Sequence, residues 1–66
     1  MATEQTVILR LPEVRKRIGL GRSSVYQLIR QGRFPRPVHL SARTVGWIES
    51  EVEQWIAERA ADRSKA

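Results

Sequence analysis

Two glycines with a leucine between them, Gly19-Leu20-Gly21, separate two short segments whose apolar residues recur at helical spacing. Val14 and Ile18 stand four apart before the tripeptide. After it, Val25, Leu28 and Ile29 cluster on one side of a helix at about 100° per residue. So short a break leaves no room for a wandering loop, and the two helices have to fold onto each other across the turn. The first helix is predicted over residues 12–18, with Pro12 at its first position, where the amide hydrogen that proline lacks would have no intrahelical partner. Gly19 ends it and Leu20 drops an apolar side chain into the turn. Gly21 serves as a weak N-cap, and a second helix runs from 22 to 31 until Gly32 stops it. The pattern is a helix-turn-helix.

Downstream, Pro35 and Pro37 forbid helix and impose an extended path, with Phe34 as a core plug beside them. Residues 38–40 and 44–47 read as two short strands around Ser41-Ala42-Arg43, a hairpin with a basic tip. A third helix spans 49–61, with Val52, Trp55, Ile56 and the stem of Arg59 on its inward face. Glu49, Glu51 and Glu53 favour its dipole, and Ser50-Glu51-Val52-Glu53 offers a capping box that would start it a residue or two later. Residues 7–11 read as a short strand or extended lead-in. The expected architecture is mainly α with a small β-hairpin: a winged helix-turn-helix of three helices plus a wing. It occupies residues 7–61, with flexible ends at 1–6 and 62–66.

Sixty-six residues allow one domain, which buries only about 60% of its unfolded surface and has little room for an active-site cavity. The chain has no Cys, so neither a disulfide nor a zinc-thiolate site staples it. His39 is the single His and has no second soft ligand to share a metal. Ser23 and Ser24 lack a His-acid partner, so no catalytic residue, metal or cofactor is expected. The longest apolar run, Val7-Ile8-Leu9, is far below the roughly 20 residues of a membrane span, and no signal-peptide pattern opens the chain. A cytoplasmic protein without membrane contact is the expectation.

Charge is distributed unevenly. Residues 10–43 carry nine basic side chains against Glu13 alone, whereas residues 44–66 carry three against five acids. Ten of the twelve bases are Arg, whose planar fork suits phosphate and guanine. One surface is therefore built to face a polyanion, and duplex DNA is the expected partner. The side of the second helix opposite its apolar stripe displays Ser23, Tyr26, Gln27 and Arg30, with Arg22 on the flank. Arg22, Ser23 and Ser24 also stand at the helix N-terminus, where amide hydrogens and the dipole favour phosphate. Arg33 and Arg36 flank the turn into the hairpin, placed to touch the DNA backbone, and Arg43 sits at its tip, placed to meet phosphate or minor groove. Tyr26 borders the apolar stripe and is half core by position. Trp47 and Trp55 occupy inward positions and read as core, which disfavours single-strand RNA binding through stacked bases. A protein-interaction module acting through the acidic third helix is the alternative reading.

The segments "RSSVYQLIRQGRFPRPV" and "VGWIESEVEQWIAER", in this order and spacing, carry a further signal. The chain resembles, from Leu9 to Arg59, the AlpA family of phage and prophage transcriptional regulators, relatives of phage excisionases and of MerR-like winged helices. Gly21 departs from the pattern, since such proteins often place Ser there, and the N-cap is weaker for it. The resemblance implies sequence-specific DNA binding near integrase genes or attachment sites, to activate transcription or to direct excision. It makes the outer face of "RSSVYQLIR" the major-groove reader and residues 41–43 the wing tip. It also implies a phage integrase or RNA polymerase as a second partner and is compatible with cooperative self-association on DNA.

Overall fold

Arg10, in extended conformation, is the N-cap of the first helix, so α1 runs Leu11–Ile18 and Pro12 takes its second position, one later than the spacing predicts. Proline is tolerated there for the same reason, since the early amides of a helix have no intrahelical acceptor. In this computed structural model, which describes residues 6–63, α1 is preceded by β1 (Ile8–Leu9) and followed by α2 (Arg22–Arg30), β2 (Val38–Ser41), β3 (Thr44–Ile48) and α3 (Glu49–Asp62). Of the flexible ends expected at 1–6 and 62–66, residues 1–5 and 64–66 lie outside the described residues, and α3 continues one residue past the expected boundary, to Asp62. Gly19 closes α1 at φ 73°, a left-handed geometry that costs glycine nothing, and its amide donates to the Arg15 carbonyl at 2.8 Å. Leu20 is half-buried in the turn and Gly21, extended, caps α2 without a side chain.

The wing is larger than a hairpin. β1 pairs antiparallel with β3 (Ile8 opposite Ile48, Leu9 opposite Trp47), and β3 pairs antiparallel with β2, giving a three-stranded sheet of order β1-β3-β2. The register slips between His39 and Ser41, leaving Leu40 as a bulge next to the turn formed by Ala42 and Arg43. Three helices and this small sheet make a winged helix-turn-helix.

The core contains Leu9, Val14, Val25, Trp47 and Val52, one each from β1, α1, α2, β3 and α3, together with Phe34 from the connector between α2 and β2. Half-buried side chains, Ile18, Leu28, Ile29, Trp55 and Ile56 among them, pack around it. The expected inward stripes of all three helices are therefore the observed ones, except that Arg59, whose stem is expected on the inward face of α3, is exposed. The expected capping box is not observed: Ser50 lies inside α3, whose N-cap is Ile48 and has no side-chain bond. The backbone supplies what the side chain does not, because the Glu49 amide donates to the Val7 carbonyl at 2.8 Å. One orphan donor of the helix is thus satisfied by the chain leading into β1.

Gly46 is buried in the middle of β3 with no room for a side chain. A Cβ there would collide with Cγ2 of Ile8 and come within 3.2 Å of the Leu9 carbonyl oxygen and 3.3 Å of Leu40 Cδ1. One of these neighbours is backbone, so β1 would have to shift. Gly46→Ala is expected to cost about 1–3 kcal/mol, the usual range for overpacking, read as a lower urea midpoint at unchanged slope. An unchanged midpoint would show that β1 does not press on β3.

Candidate nucleic-acid interface

The residues that hold α2 in place leave its other side free. Val25 is fully buried and Leu28 and Ile29 are half-buried, so the opposite side is fixed in solvent. Ser23, Gln27 and Arg30 fall within about 60° of one another there, at 100° per residue, and all three are exposed. Arg22 and Ser24, at the first turn, are exposed on the flanks. The helix ends in a two-bond stop: the Gly32 amide donates to Ile29 O at 3.0 Å and the Arg33 amide to Leu28 O at 2.8 Å, with Gly32 left-handed at φ 73°. This Schellman arrangement turns the chain sharply after Gln31.

Tyr26 is the member of the expected set that the structure treats differently. Its ring is half-buried and meets Trp47 edge-on at 6.2 Å, while the Arg22 guanidinium lies 5.8 Å from its centroid. Tyr26 therefore joins the core to the first turn of α2 and restrains Arg22 by a cation–π contact. Arg33 and Arg36 are exposed on the connector between α2 and β2, and Arg43 is exposed at the hairpin turn, where its amide donates to Ser41 Oγ at 3.4 Å. The candidates thus form two groups, a helix face continued by the connector, and the wing tip.

Ion pairing separates these arginines from Arg17 and Arg59. Arg17 Nη1 lies 3.0 Å from Glu49 and 2.8 Å from Glu53, and Arg59 pairs with Asp62 at 3.3 Å. No acid pairs with Arg22, Arg30, Arg33, Arg36 or Arg43 among the described residues. Arg17 belongs by sequence to the cationic half but is held by acids 32 and 36 positions away. Sequence position alone could not separate it from its neighbours. The structure also brings forward two cations to which the sequence assigns no role. Arg15 and Lys16, with Pro12, Gly19, Leu20 and Gly21, line a shallow depression of about 490 Å³ beside the start of α2. Among the described residues no group of three acidic or His side chains could hold a metal, and no helix is long and apolar enough to cross a membrane.

Residues 7–60, which contain both groups of arginines, match the family model described as prophage CP4-57 regulatory protein (AlpA). The chain belongs to the AlpA family. Over 61 residues it is 48% identical to the uncharacterized protein ORF88 of Enterobacteria phage P4, covering 92% of this chain and 69% of that protein. Over 58 residues it is 34% identical to the DNA-binding transcriptional activator AlpA of Escherichia coli strain K12, covering 79% of this chain and 83% of that one. The AlpA match thus extends from the β1 lead-in almost to the end of α3, over nearly all of the described fold rather than the helix-turn-helix alone.

Proposed function

We propose that this AlpA-family chain is a sequence-specific duplex-DNA-binding regulator of phage or prophage genes. It lays α2 in the major groove and rests the β2–β3 turn on the adjacent backbone or minor groove. The observation that carries this reading is the outer face of α2: Ser23, Gln27 and Arg30 exposed and directed by the buried Val25, with Arg22, Arg30, Arg33 and Arg36 free of an acidic partner among the described residues. A face of that kind supplies donors and acceptors for base edges while the surrounding guanidiniums take phosphates. The relative named as a DNA-binding transcriptional activator supports the same reading. Arg15 and Lys16 extend the phosphate-facing surface beside the turn. Activation of integrase expression and control of excision direction both need these contacts. The alternative, a protein surface on α3, loses Glu49 and Glu53 to Arg17 and would rest on Glu51 and Glu58, which are exposed and have no ion pair among the described residues.

The test contrasts helix and wing. Gln27 stands near the middle of the outer face, and its amide can bond bidentately to adenine. Gln27→Ala should cost about 1–3 kcal/mol on the cognate site and leave random-sequence binding nearly unchanged. Arg43→Ala should weaken cognate and random duplexes by similar factors and lower the salt slope by about one. Titrations of both variants on both duplexes decide it. If Arg43 governs sequence preference and Gln27 affects all duplexes alike, the wing is the reader and the helix assignment falls.

A further inference from the structure

The connector of residues 31–37 has little to hold it. Pro35 and Pro37 have no amide hydrogen, so the segment belongs to neither helix nor sheet. Beyond the Schellman stop, its backbone is tied by two side chains. Trp47 Nε1 donates to the Pro35 carbonyl at 3.1 Å and Trp55 Nε1 donates to the Arg33 carbonyl at 2.6 Å. Carbonyls 33 and 35 of one extended run thus meet two indoles from different elements. Trp47 lies in the core of the sheet, whereas Trp55 is half-buried on α3, its ring edge-on to Phe34 at 5.0 Å and 5.5 Å from the Arg59 guanidinium. The segment held in this way carries Arg33 and Arg36, both exposed and, among the described residues, free of an acidic partner.

We infer that Trp55 is a positioning residue for DNA binding: its indole N–H, from a helix that offers no base-reading face, fixes the connector so that Arg33 and Arg36 meet phosphates. The inference rests on the DNA-binding reading above, with Arg33 and Arg36 part of the surface. Its physical basis is preorganisation. An arginine on a tethered backbone loses less freedom on binding than one on a loose segment, and the saving appears as affinity. Phe34 anchors the connector by packing but fixes neither carbonyl, so the two indole bonds set the direction of the backbone on either side of it.

Trp55→Phe keeps an aromatic ring and deletes the donor. A second variant, made by chemical synthesis with benzothiophene in place of the Trp55 indole, fills the original space with sulfur where the N–H was. It covers the case in which Phe packs too poorly for the domain to fold. Cooperative melting should persist in the benzothiophene variant. Its affinity for duplex DNA should fall about fivefold, the usual worth of one hydrogen bond, and its salt slope should decrease in magnitude by about one. In a background carrying Arg33→Ala and Arg36→Ala, the same replacement should change neither affinity nor slope, because the groups it positions are gone. A benzothiophene variant with a lowered melting temperature but the parent slope would overturn the inference, leaving Trp55 a packing residue. A full slope in the Arg33→Ala, Arg36→Ala protein would also overturn it while leaving DNA binding intact. Failure of the parent chain to bind any duplex would instead remove the reading on which the inference stands.

Discussion

Trp47→Ala should abolish cooperative folding or leave a domain that melts close to room temperature. Trp47 is fully buried, opposes Leu9 across the β1–β3 pair, meets Tyr26 edge-on and ties the connector through the Pro35 carbonyl. Truncating a buried Trp costs about 3–5 kcal/mol in transfer and cavity terms. The carbonyl left without its donor adds to the loss. At about 0.05–0.15 kcal/mol per residue, a chain of this length has roughly 3–10 kcal/mol in all. The variant is therefore expected at or below the threshold of stability. Trp55→Ala should cost less, since that ring is only half-buried. Thermal melts followed by circular dichroism check the order of the two. A Trp47→Ala protein melting within a few degrees of the parent would mean that the ring is not the centre of the core.

Local signals explain how much of this fold the sequence disclosed. The Gly19-Leu20-Gly21 turn, the apolar spacing of α1 and α2, Gly32 and the two prolines all act within a few residues of themselves, so they could be read in order. The outer face of α2 followed from the same periodicity. Pairings between distant segments were not legible. Nothing near Ile8 or Leu9 specifies β3 as their partner, and the need for Gly46 arises only once Ile8 and Leu40 lie against it. The start of α3 at Glu49 was legible, but its cap was not: Ser50 has the residue type of a cap, whereas Ile48 is the N-cap and the Glu49 amide is met by the distant Val7 carbonyl. Charge shows the same limit. The count of basic residues in the first two-thirds of the chain treats Arg17 and Arg22 alike, although Glu49 and Glu53 hold one and Tyr26 restrains the other.

That division among the arginines sets the size of the salt effect. If every basic residue met the polyanion, about twelve charges at 0.9 each would give a log–log slope near −11. The free cations of the proposed surface are fewer: among the described residues Arg15, Lys16, Arg22, Arg30, Arg33, Arg36 and Arg43 lack acidic partners, whereas Arg17 and Arg59 have them. Allowing about four to six phosphates, the slope for duplex DNA should lie at about −4 to −5, a loss of roughly 250- to 1,000-fold in affinity between 50 and 200 mM salt. Arg17→Ala serves as the internal control. It removes a positive charge from the chain but none from the surface, so the slope should stay at the parent value. The lost exposed ion pairs should lower stability by no more than about 1 kcal/mol. Fluorescence titrations across this salt range, on cognate and random duplexes and on single-stranded DNA and RNA of equal length, measure all of these together. A slope near zero would sink the electrostatic account. A parent slope near −11, or one that falls when Arg17 is removed, would show that the ion pairs of α3 open on binding and that the cationic surface is wider than the free arginines define. Single strands bound as tightly as the duplex would reject the groove-reading role of α2, since a face ordered by Ser23, Gln27 and Arg30 gains its advantage only where base edges are presented in a groove of fixed width.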